Sequence, residues 1–492
     1  MTDSTSSQNT VLPFPTQRST DSSKTTLWSL LYFVPALATL FLPVLCDNDV
    51  WWHLRTGEWI YTNHAIPTHD IYSISLQSHS WTPYSWLFEL LVYGVFRCAG
   101  LRGIVLFTSA MVLLITLAIR SAVRRLMPET ASALALTIFA TVTLIHLYTP
   151  RPWLFSIIFF AIETGILLKA IHSGPGWELA WLPPLFIVWA NIHIQFVDGL
   201  VILVIATIST AFLSLLKKPV PFPALSLAAL TGVCTAATFV TPYGWNLYRS
   251  AHELTTQPNV LNNVTEMLSL NFRDIFDYNV ILFAIAAAVC LALSRKAALS
   301  EYAFLLFGIV YSLRSKRDIW ILVILSTAII AQSLPRLIQK HQPRFRLNTI
   351  PVFLFGLIVL LFAYSSPLVN ESRISKMLSG TYPVDAARFV QAHNLPGPLF
   401  NTYGWGGYLI WNLHRPVSID GRAGLYGDKA VMQNIYTWTA SPEWTNDAAL
   451  ADAKTIIAPI REPLTQLLRV DPQYQILYQD KTAIIFGKLT TR

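Results

Sequence analysis

Acidic residues follow directly on the first apolar segment of the chain. Asp47 and Asp49 stand two residues apart, and Trp51, Trp52 and His53 come immediately after them. Carboxylates at the edge of a membrane are costly unless water, a cation or a substrate compensates them. A carboxylate can act as general base on a hydroxyl, and an Asp-x-Asp pair can hold a divalent cation. The sequence therefore predicts an active site at a membrane surface, with Asp47, Asp49 and His53 as its catalytic residues.

Further polar residues stand near the ends of other apolar segments, on the side that the topology below assigns to Asp47. The candidates for lining a substrate, besides Trp51 and Trp52, are Asp70, Asn191, His193 and Tyr243. The candidates for holding a phosphate group are Arg151, Arg314, Lys316 and Arg317. Arginine holds a phosphate through two parallel hydrogen bonds. The sequence contains no Gly-rich phosphate loop, so a lipid-linked phosphate suits it better than a nucleotide.

The composition indicates a protein with many membrane spans. Of 492 residues, 53% are hydrophobic and 13% are charged, whereas a soluble domain carries about 25% charged residues. The net charge of +8 is typical of cytoplasmic loops in a membrane protein, and no nucleic-acid-binding motif accompanies it. Residues 1–26 are rich in Ser and Thr and are predicted to be a disordered cytoplasmic tail. The apolar segment after them is interpreted as an uncleaved anchor.

Segments of roughly twenty apolar residues cross a bilayer, and the sequence predicts a polytopic α-helical membrane domain over residues 27–368. Its 11 predicted spans lie near residues 27–46, 102–120, 131–149, 152–171, 178–193, 197–216, 223–241, 279–294, 298–313, 319–335 and 349–368. The segment 84–98 is apolar but short, and it contains Glu89. It is interpreted as a helix beside the membrane or a re-entrant helix; a full crossing would change the topology.

Positive charge sets the predicted orientation, because short cytoplasmic loops are enriched in Lys and Arg. With the N-terminus in the cytoplasm, the basic loops that fall inside are 120–125, 169, 217–218, 295–296 and 336–346. The exception is the basic segment 314–317, which falls outside and is either a functional cluster or the sign of a miscounted span near 298–313. The external loop 47–85 and everything after residue 368 lie outside in this topology.

The chain after residue 368 is no longer membrane-like, and residues 369–492 are predicted to form a small extracytoplasmic α/β domain. A helix is predicted over residues 383–393. Strands are predicted over residues 398–401, 416–420, 455–459 and 483–486. Glycines at 404, 406 and 407 favour a tight strand-to-helix turn. The sequence Asp420-Gly421-Arg422 is interpreted as a turn, with an acceptor-binding edge as the alternative.

The residues named for the site also have simple structural interpretations. Asp47 and Asp49 would cap the helix that starts at Val50, since Asp is favoured at the N-cap. The tryptophans beside them would form an interfacial aromatic belt. Arg151 would be a turn residue whose side chain snorkels to the interface, and His193 would be a hydrogen-bonded interfacial histidine. The joint location of these residues favours an active site over the separate interpretations.

With these features the chain resembles the GT-C class of integral-membrane glycosyltransferases, which includes the protein mannosyltransferases and the bacterial lipid A aminoarabinose transferases. The resemblance starts with an uncleaved first span and an external loop that opens on Asp47-Asn48-Asp49. It continues in the motifs Trp51-Trp52-His53-Leu54-Arg55-Thr56-Gly57, Ile66-Pro67-Thr68-His69-Asp70-Ile71-Tyr72-Ser73 and Trp81. The wider chain is similar to a group of bacterial membrane proteins of this architecture in Arg151-Pro152, Asn191-x-His193, Pro242-Tyr243-Gly244, residues 401–408 and Ile419-Asp420-Gly421-Arg422.

The resemblance implies a GT-C-like fold in a bacterial inner membrane and catalysis on the outer face. It implies a glycosyltransferase that moves a sugar from a polyprenyl-phosphate-linked donor to an acceptor that the motifs do not identify. Asp47 or Asp49 would be the catalytic base or the ligand of a divalent cation, Mg²⁺ or Mn²⁺. The alternative function is a non-catalytic membrane transporter or a glycan-assembly scaffold. Transporters often place their sites near the midplane of the bilayer, whereas these residues gather at one face.

Overall fold

The membrane-like part of the chain folds into helices of very different lengths. The computed structural model describes residues 30–489 except 78, 295, 338–355, 357, 358, 360–362 and 364–368. The predicted tail 1–26 and most of the predicted span 349–368 lie outside the described residues. The helices described before residue 338 are α1 Val34–Thr39, α2 Val50–Asn63, α3 Trp86–Leu126, α4 Ala131–Thr143, α5 Trp153–Ser173, α6 Leu182–Ile192, α7 Phe196–Leu215, α8 Ala224–Ala237, α9 Asn246–Thr255, α10 Pro258–Asn263, α11 Ile275–Leu293, α12 Leu299–Arg314 and α13 Ile319–Leu337.

Several of these helices are compatible with an integral membrane protein. Within the described residues, 5 helical segments are long and apolar enough to cross a membrane, namely α3, α5, α7, α11 and Lys316–Pro335, which overlaps α13. The helices α4 and α8 are apolar but shorter. The prediction of a mostly helical chain with membrane-type helices is therefore confirmed. The number of about 11 spans and the orientation stay predictions.

The helix α13 lies at the centre of the bundle. In its most apolar window, 89% of the residues are buried inside the protein, as expected for a helix that is hydrophobic all round. Trp320 at its start packs edge-on against Phe160 of α5, with ring centroids 5.0 Å apart. The helix α13 thus provides packing contacts between the first and second halves of the bundle.

Two of the predicted segments have a different shape from a simple span. The helix α3 is broken at Gly100, whose φ of +59° is a conformation that favours glycine. The part before the break, residues 86–99, rises about 21 Å, which is short of the roughly 30 Å hydrocarbon core and agrees with a helix beside the membrane. The segment predicted as the span 27–46 is not one continuous helix, because α1 ends at Thr39 and a separate 3₁₀ turn follows Pro43.

The C-terminal part combines helices with one small sheet, as predicted. The elements described after residue 369 are α14 Glu371–Thr381, α15 Val384–Ala392, β1 Leu399–Asn401, α16 Tyr403–Leu413, α17 Ala423–Trp438, α18 Ala448–Asp452, β2 Thr455–Pro459, α19 Pro463–Val470, β3 Tyr474–Gln479 and β4 Ala483–Lys488. The strand order is β1-β2-β4-β3, with β1 parallel to β2 and β4 antiparallel to both of its neighbours. The strand β3 was not predicted; its residues are half-buried or exposed and show no regular alternation.

The predicted strand over residues 416–420 is wrong. Val417 makes one isolated parallel bridge to Ser73 of the first loop. The neighbouring Ser418 donates its backbone N–H to the side-chain oxygen of Asn401 at 3.1 Å, and the Asn401 amide donates to the Ile419 carbonyl at 2.8 Å. Because the side chain of Asn401 occupies these backbone groups, the segment lies beside β1 without forming a ladder with it.

The glycines of α16 allow the C-terminal part to pack directly on the first external segment. A Cβ atom on Gly407 would lie 2.6 Å from the Asn48 carbonyl oxygen, and one on Gly404 would lie 3.2 Å from the Asn48 side chain. Trp51 is buried in the same contact and packs edge-on against Tyr408 at 5.1 Å. The glycines at 404, 406 and 407 lie inside α16 and have no positive φ, so they serve close packing between distant segments and do not form the predicted turn.

Candidate functional site

A cavity of about 410 Å³ lies between the ends of the membrane-type helices and the C-terminal part of the chain. Its wall carries acidic, imidazole and guanidinium groups together with aromatic rings. The charged and imidazole-bearing lining residues are Asp49, His53, Glu89, Arg151, His193, Arg249, Glu253, Glu266, Arg317 and Arg422. Of the residues predicted from the sequence, the cavity brings together Asp49, Trp52, His53, Arg151, His193 and Arg317.

Arg151 binds three carboxylates at one side of this cavity. Its Nε donates to both oxygens of Asp47, at 2.7 and 2.9 Å. Its Nη1 donates to Asp49, and its Nη2 lies 3.0 Å from Glu266 Oε2. The guanidinium lies 4.7 Å from the ring centroid of Trp153, and only 12% of the side chain is exposed. The snorkelling interpretation of Arg151 is therefore wrong, because the side chain reaches carboxylates inside the protein.

The capping interpretation of the two aspartates is also not supported by their contacts. The helix α2 begins at Val50, and Asp49 at its N-cap makes no side-chain capping hydrogen bond. Asp47 Oδ1 accepts the backbone N–H of Asp49 at 2.9 Å, which is a local turn contact. Both carboxylates are directed to Arg151. Asp49 lines the cavity, whereas Asp47 lies behind it and positions Arg151.

Burial raises the pKa of Asp49 to about 8. Arg151 acts in the opposite direction, and the negative charges of Glu266 and Asp47 add to the increase. A single guanidinium cannot balance three carboxylates, and like charges that share a site raise the pKa of one of them. A carboxyl with a pKa in this range can exchange a proton near neutral pH, which is what general acid–base catalysis requires.

His53 forms the second titratable contact in the wall. Its Nδ1 lies 3.3 Å from Oε1 of Glu89, whose other oxygen is buried and has no hydrogen-bond partner within the described part of the chain. The imidazole lies against Trp52, with ring centroids 3.6 Å apart. Burial, followed by the charges of Arg151 and His193, lowers the pKa of His53 well below its ordinary value. The imidazole is therefore neutral at neutral pH.

His193 is hydrogen-bonded to a serine of α5. Its Nδ1 lies 2.8 Å from Ser156 Oγ, which also accepts the indole N–H of Trp189 at 2.8 Å. His53 lies on α2 and His193 directly follows α6, so the site contains two imidazoles from different parts of the chain.

The residues of the basic segment 314–317, which falls outside in the predicted topology, lie in different surroundings. Arg317 lines the cavity, and its Nε lies 3.4 Å from Asp318 Oδ1. Arg314 is exposed at the end of α12, and Lys316 donates its backbone N–H to the Leu268 carbonyl at 2.9 Å. Neither of these two residues lines the cavity. Arg317 is therefore the member of the cluster that can meet a ligand there.

Three other residues predicted to line a substrate have packing roles. Trp51 lies in the core beneath α16. Asn191 donates to the Val240 carbonyl at 2.8 Å, and the hydroxyl of Tyr243 donates to the Pro83 carbonyl at 2.7 Å. These bonds hold the cavity-lining segments in place. They connect loops that the sequence could not relate to each other.

Sequence reasoning missed one helix of the wall. Asn246, Arg249, Ser250 and Glu253 of α9 all line the cavity. Their spacing of three and four residues places them on one face of a helix. The signal was present in the sequence as an amphipathic segment within the predicted outer loop, and a search for helical periodicity in that loop would have found it.

Arg422 connects the C-terminal part to the first external loop. Its guanidinium binds Asp420 at 2.6 and 2.8 Å and Asp70 at 2.6 Å, and 4% of the side chain is exposed. It lies 4.7 Å from the ring centroid of Trp81. Burial alone would raise the pKa of Asp70, but Arg422 and local hydrogen bonds hold that pKa below its ordinary value. Asp70 therefore positions Arg422 and does not itself line the cavity.

The predicted divalent cation does not fit the arrangement of the two aspartates. Both oxygens of Asp47 and one oxygen of Asp49 are engaged by the guanidinium of Arg151, whose positive charge would repel a second cation. Among the described residues, no group of three His, Cys, Asp or Glu side chains is placed to hold a metal ion.

The cavity combines groups suited to one kind of chemistry. A carboxyl able to exchange a proton near neutral pH stands in one wall with two imidazoles, a guanidinium and aromatic rings. Such a site suits proton abstraction from a substrate beside a bound anionic group. A comparison with protein-family models finds no match for this chain, and a comparison with curated proteins finds none either. The function is therefore inferred from the side chains of the cavity.

Proposed function

We propose that this protein is a glycosyltransferase that moves a sugar from a polyprenyl-phosphate-linked donor to a hydroxyl acceptor. The proposal rests on the resemblance to the GT-C class together with one observation, that Asp49 and Arg317 line the same cavity. In the predicted topology this cavity opens on the outer face of a bacterial inner membrane, where soluble nucleotide-sugars are not supplied. The N-terminus would be cytoplasmic and the C-terminal part extracytoplasmic.

Asp49 is proposed to act as general base. In its deprotonated form it accepts the proton of the acceptor hydroxyl while the hydroxyl oxygen forms a bond to the anomeric carbon of the sugar. The bond between that carbon and the phosphate oxygen breaks, and the lipid phosphate leaves with the electron pair. No metal or further reactant is needed for this balance. A general base of this kind contributes about 10²- to 10⁴-fold to a rate.

Arg317 is proposed to hold the phosphate that leaves. It is the arginine of the outer basic cluster that lines the cavity, and its Nε makes only a long contact of 3.4 Å to Asp318. Arg151, in contrast, is engaged by three carboxylates and serves to position Asp49. Trp52, Trp81 and Tyr403 supply flat aromatic walls for a sugar ring.

The test uses the full-length protein in liposomes with polyprenyl-phosphate donors that carry radiolabelled sugars, and membrane extract as the source of acceptor. Release of the lipid phosphate and transfer of the label are both measured. Asp49→Asn is expected to lower the rate about 10²- to 10⁴-fold. Arg317→Ala is expected to lower it strongly, whereas Arg314→Ala, which removes the same charge three residues away and outside the cavity, is the matched control.

The same liposomes separate the proposal from its alternative. A panel of donors that releases no lipid phosphate with the wild-type protein, or an Asp49→Asn variant as active as wild type, would overturn the proposal. Movement of the labelled lipid or sugar across the bilayer without transfer would favour a transporter. Loss of activity in Arg314→Ala equal to that in Arg317→Ala would contradict the role given to Arg317.

A further inference from the structure

A second cavity, of about 530 Å³, lies at the opposite end of the helix bundle. The helix α5 starts at Trp153 in the wall of the first cavity and ends near Ile171 and His172 in the wall of the second. A helix of 21 residues rises about 30 Å, close to the thickness of the hydrocarbon core. The two cavities are therefore about one bilayer thickness apart and do not share a ligand.

Two lysines from different loops border this second cavity. Lys218 follows α7, and Lys296 precedes α12. One oxygen of the nearby Glu301 carboxylate, Oε2, lies 3.1 Å from His172 Nε2 and accepts the backbone N–H of Ala298 at 2.6 Å. The other oxygen, Oε1, is buried without a hydrogen-bond partner in the described part of the chain, but Glu301 is not among the residues that line the cavity. The charge that the cavity presents to a ligand is therefore positive.

Three buried hydroxyl side chains also line the cavity without a protein partner. Ser209 and Thr210 are each 7% exposed and Ser300 is 2% exposed. In the part of the chain that the structure describes, none of their hydroxyls makes a hydrogen bond to protein. By contrast, Thr207 and Ser214 of the same helix α7 donate to carbonyls four residues earlier, at 2.8 and 2.9 Å. Their oxygens are not enclosed by protein atoms, so these hydroxyls face the cavity and can donate hydrogen bonds to a polar ligand there.

The rest of the wall is apolar and continues onto the outside of the bundle. Leu213, Phe222 and Leu299 line the cavity. On the adjoining surface of α7, Phe212 is 51% and Leu215 is 81% exposed. An exposed apolar surface of a membrane-type helix is suited to lipid chains. The cavity thus offers cationic and hydroxyl groups to a head group and an apolar exit to its chains.

We propose that this second cavity binds the phosphate head group of an anionic phospholipid. Lys218 and Lys296 attract the negative charge of the phosphate. Hydrogen bonds to the phosphate oxygens come from the hydroxyls of Ser209, Thr210 and Ser300. In the predicted topology this end of the bundle faces the cytoplasm, where anionic lipids attract lysines. The proposal is independent of the reaction proposed for the first cavity. Phosphate oxygens accept such hydrogen bonds strongly because they are charged.

The test measures binding of chain-labelled phosphatidic acid to the full-length protein in detergent micelles by fluorescence anisotropy. The double variant Lys218→Gln/Lys296→Gln is expected to weaken binding about 25-fold. The matched control Lys169→Gln/Lys217→Gln removes the same charge at the same end from residues outside the cavity wall, and it is expected to change binding less than about twofold. Thr210→Val keeps the shape of the wall and is expected to weaken binding about fivefold.

Competition with unlabelled compounds distinguishes a lipid head group from free phosphate as the ligand. Unlabelled phosphatidic acid is expected to displace the probe, and phosphatidylcholine or inorganic phosphate is not. The proposal would be overturned if the two lysine double variants lost the same amount of affinity, or if Lys218→Gln/Lys296→Gln kept the wild-type affinity. It would also be overturned if phosphatidylcholine or inorganic phosphate displaced the probe as effectively as phosphatidic acid. If the lysine variant does not fold, as judged by its melting temperature, an unchanged affinity in Thr210→Val overturns it instead.

Discussion

Gly421 packs against the carboxylate of Asp49, so closely that a Cβ atom at position 421 would overlap with Asp49 Oδ1. The other carboxylate oxygen of Asp49 accepts a hydrogen bond from Arg151. Three segments separated by about a hundred residues or more therefore fix one side chain in the wall of the cavity. Glycine is required at 421 because any larger residue would push into the group that we propose as the base.

Replacing Gly421 by alanine is expected to displace Asp49 and to lower the rate of sugar transfer about 10²-fold, the scale of a misplacement near 1 Å. The rate is measured in the liposome assay, with melting temperature as the check on folding. Gly380→Ala is the control, because no atom lies within 4 Å of a Cβ at that position. It is expected to leave the rate unchanged. A Gly421→Ala variant as active as wild type would contradict the close contact.

Arg151→Leu is expected to destabilise the protein by about 3–5 kcal/mol, because it leaves several buried carboxylates without their cation. The free energy of unfolding is measured by urea titration in micelles. The control is Arg388→Leu, whose partner Asp385 lies 2.9 Å away in an exposed pair. That change is expected to cost less than about 1 kcal/mol. Similar decreases in the free energy of unfolding in the two variants would show that Arg151 is not the cation that holds the three carboxylates together.

The rate of sugar transfer is expected to rise with pH to a plateau, with a midpoint near pH 8. Burial raises the pKa of Asp49 to about 8, and below that pH the protonated carboxyl cannot accept a proton. Burial lowers the pKa of His53 well below its ordinary value, so this imidazole is neutral across the range and adds no second step. The profile of kcat/KM is measured from pH 6 to 9. The same midpoint in Asp49→Asn would exclude Asp49 as its source.

Asp70 and Arg422 are expected to be energetically coupled by about 1–3 kcal/mol, as residues of one ion-pair network are. A double-mutant cycle with Asp70→Asn and Arg422→Gln measures the coupling through the free energy of unfolding. Arg422→Gln alone is expected to cost more, because it leaves both Asp70 and Asp420 without their cation. The exposed pair Asp385–Arg388 provides the comparison cycle. If the changes in the free energy of unfolding from the two single variants add up to that of the double variant, Asp70 and Arg422 do not share a network.

Local patterns were sufficient for many elements of the fold. Long apolar runs predicted α5, α7 and α13, since a helix must satisfy its own backbone in an apolar setting. The short strands β2 and β4 were found from runs of β-branched residues between turn signals. The predicted strand over residues 416–420 was wrong because Asn401, which is distant in sequence, takes its hydrogen bonds. The weakly patterned β3 gave no comparable signal.

The candidate site was predictable only in part. The sequence selected Asp49, His53 and Arg317 because acid, imidazole and basic residues stood near the predicted ends of spans. It missed Arg249, although the helical periodicity of α9 was present in the sequence. It also missed Glu266, which lies in a loop without a recognisable motif. The position of Glu266 depends on how that loop folds over the bundle, and no local periodicity records that.

The sequence by itself determined that the chain forms apolar, membrane-type helices with a small α/β part, because hydrophobicity and turn chemistry act over a few neighbouring residues. It also determined which chemical groups were present near one face. The tertiary structure alone decided their roles. Asp47 and Asp49 are two residues apart and chemically alike, yet Asp47 positions Arg151 and Asp49 faces the cavity. That distinction arises from partners that are about a hundred or more residues away, and only folding brings such partners together.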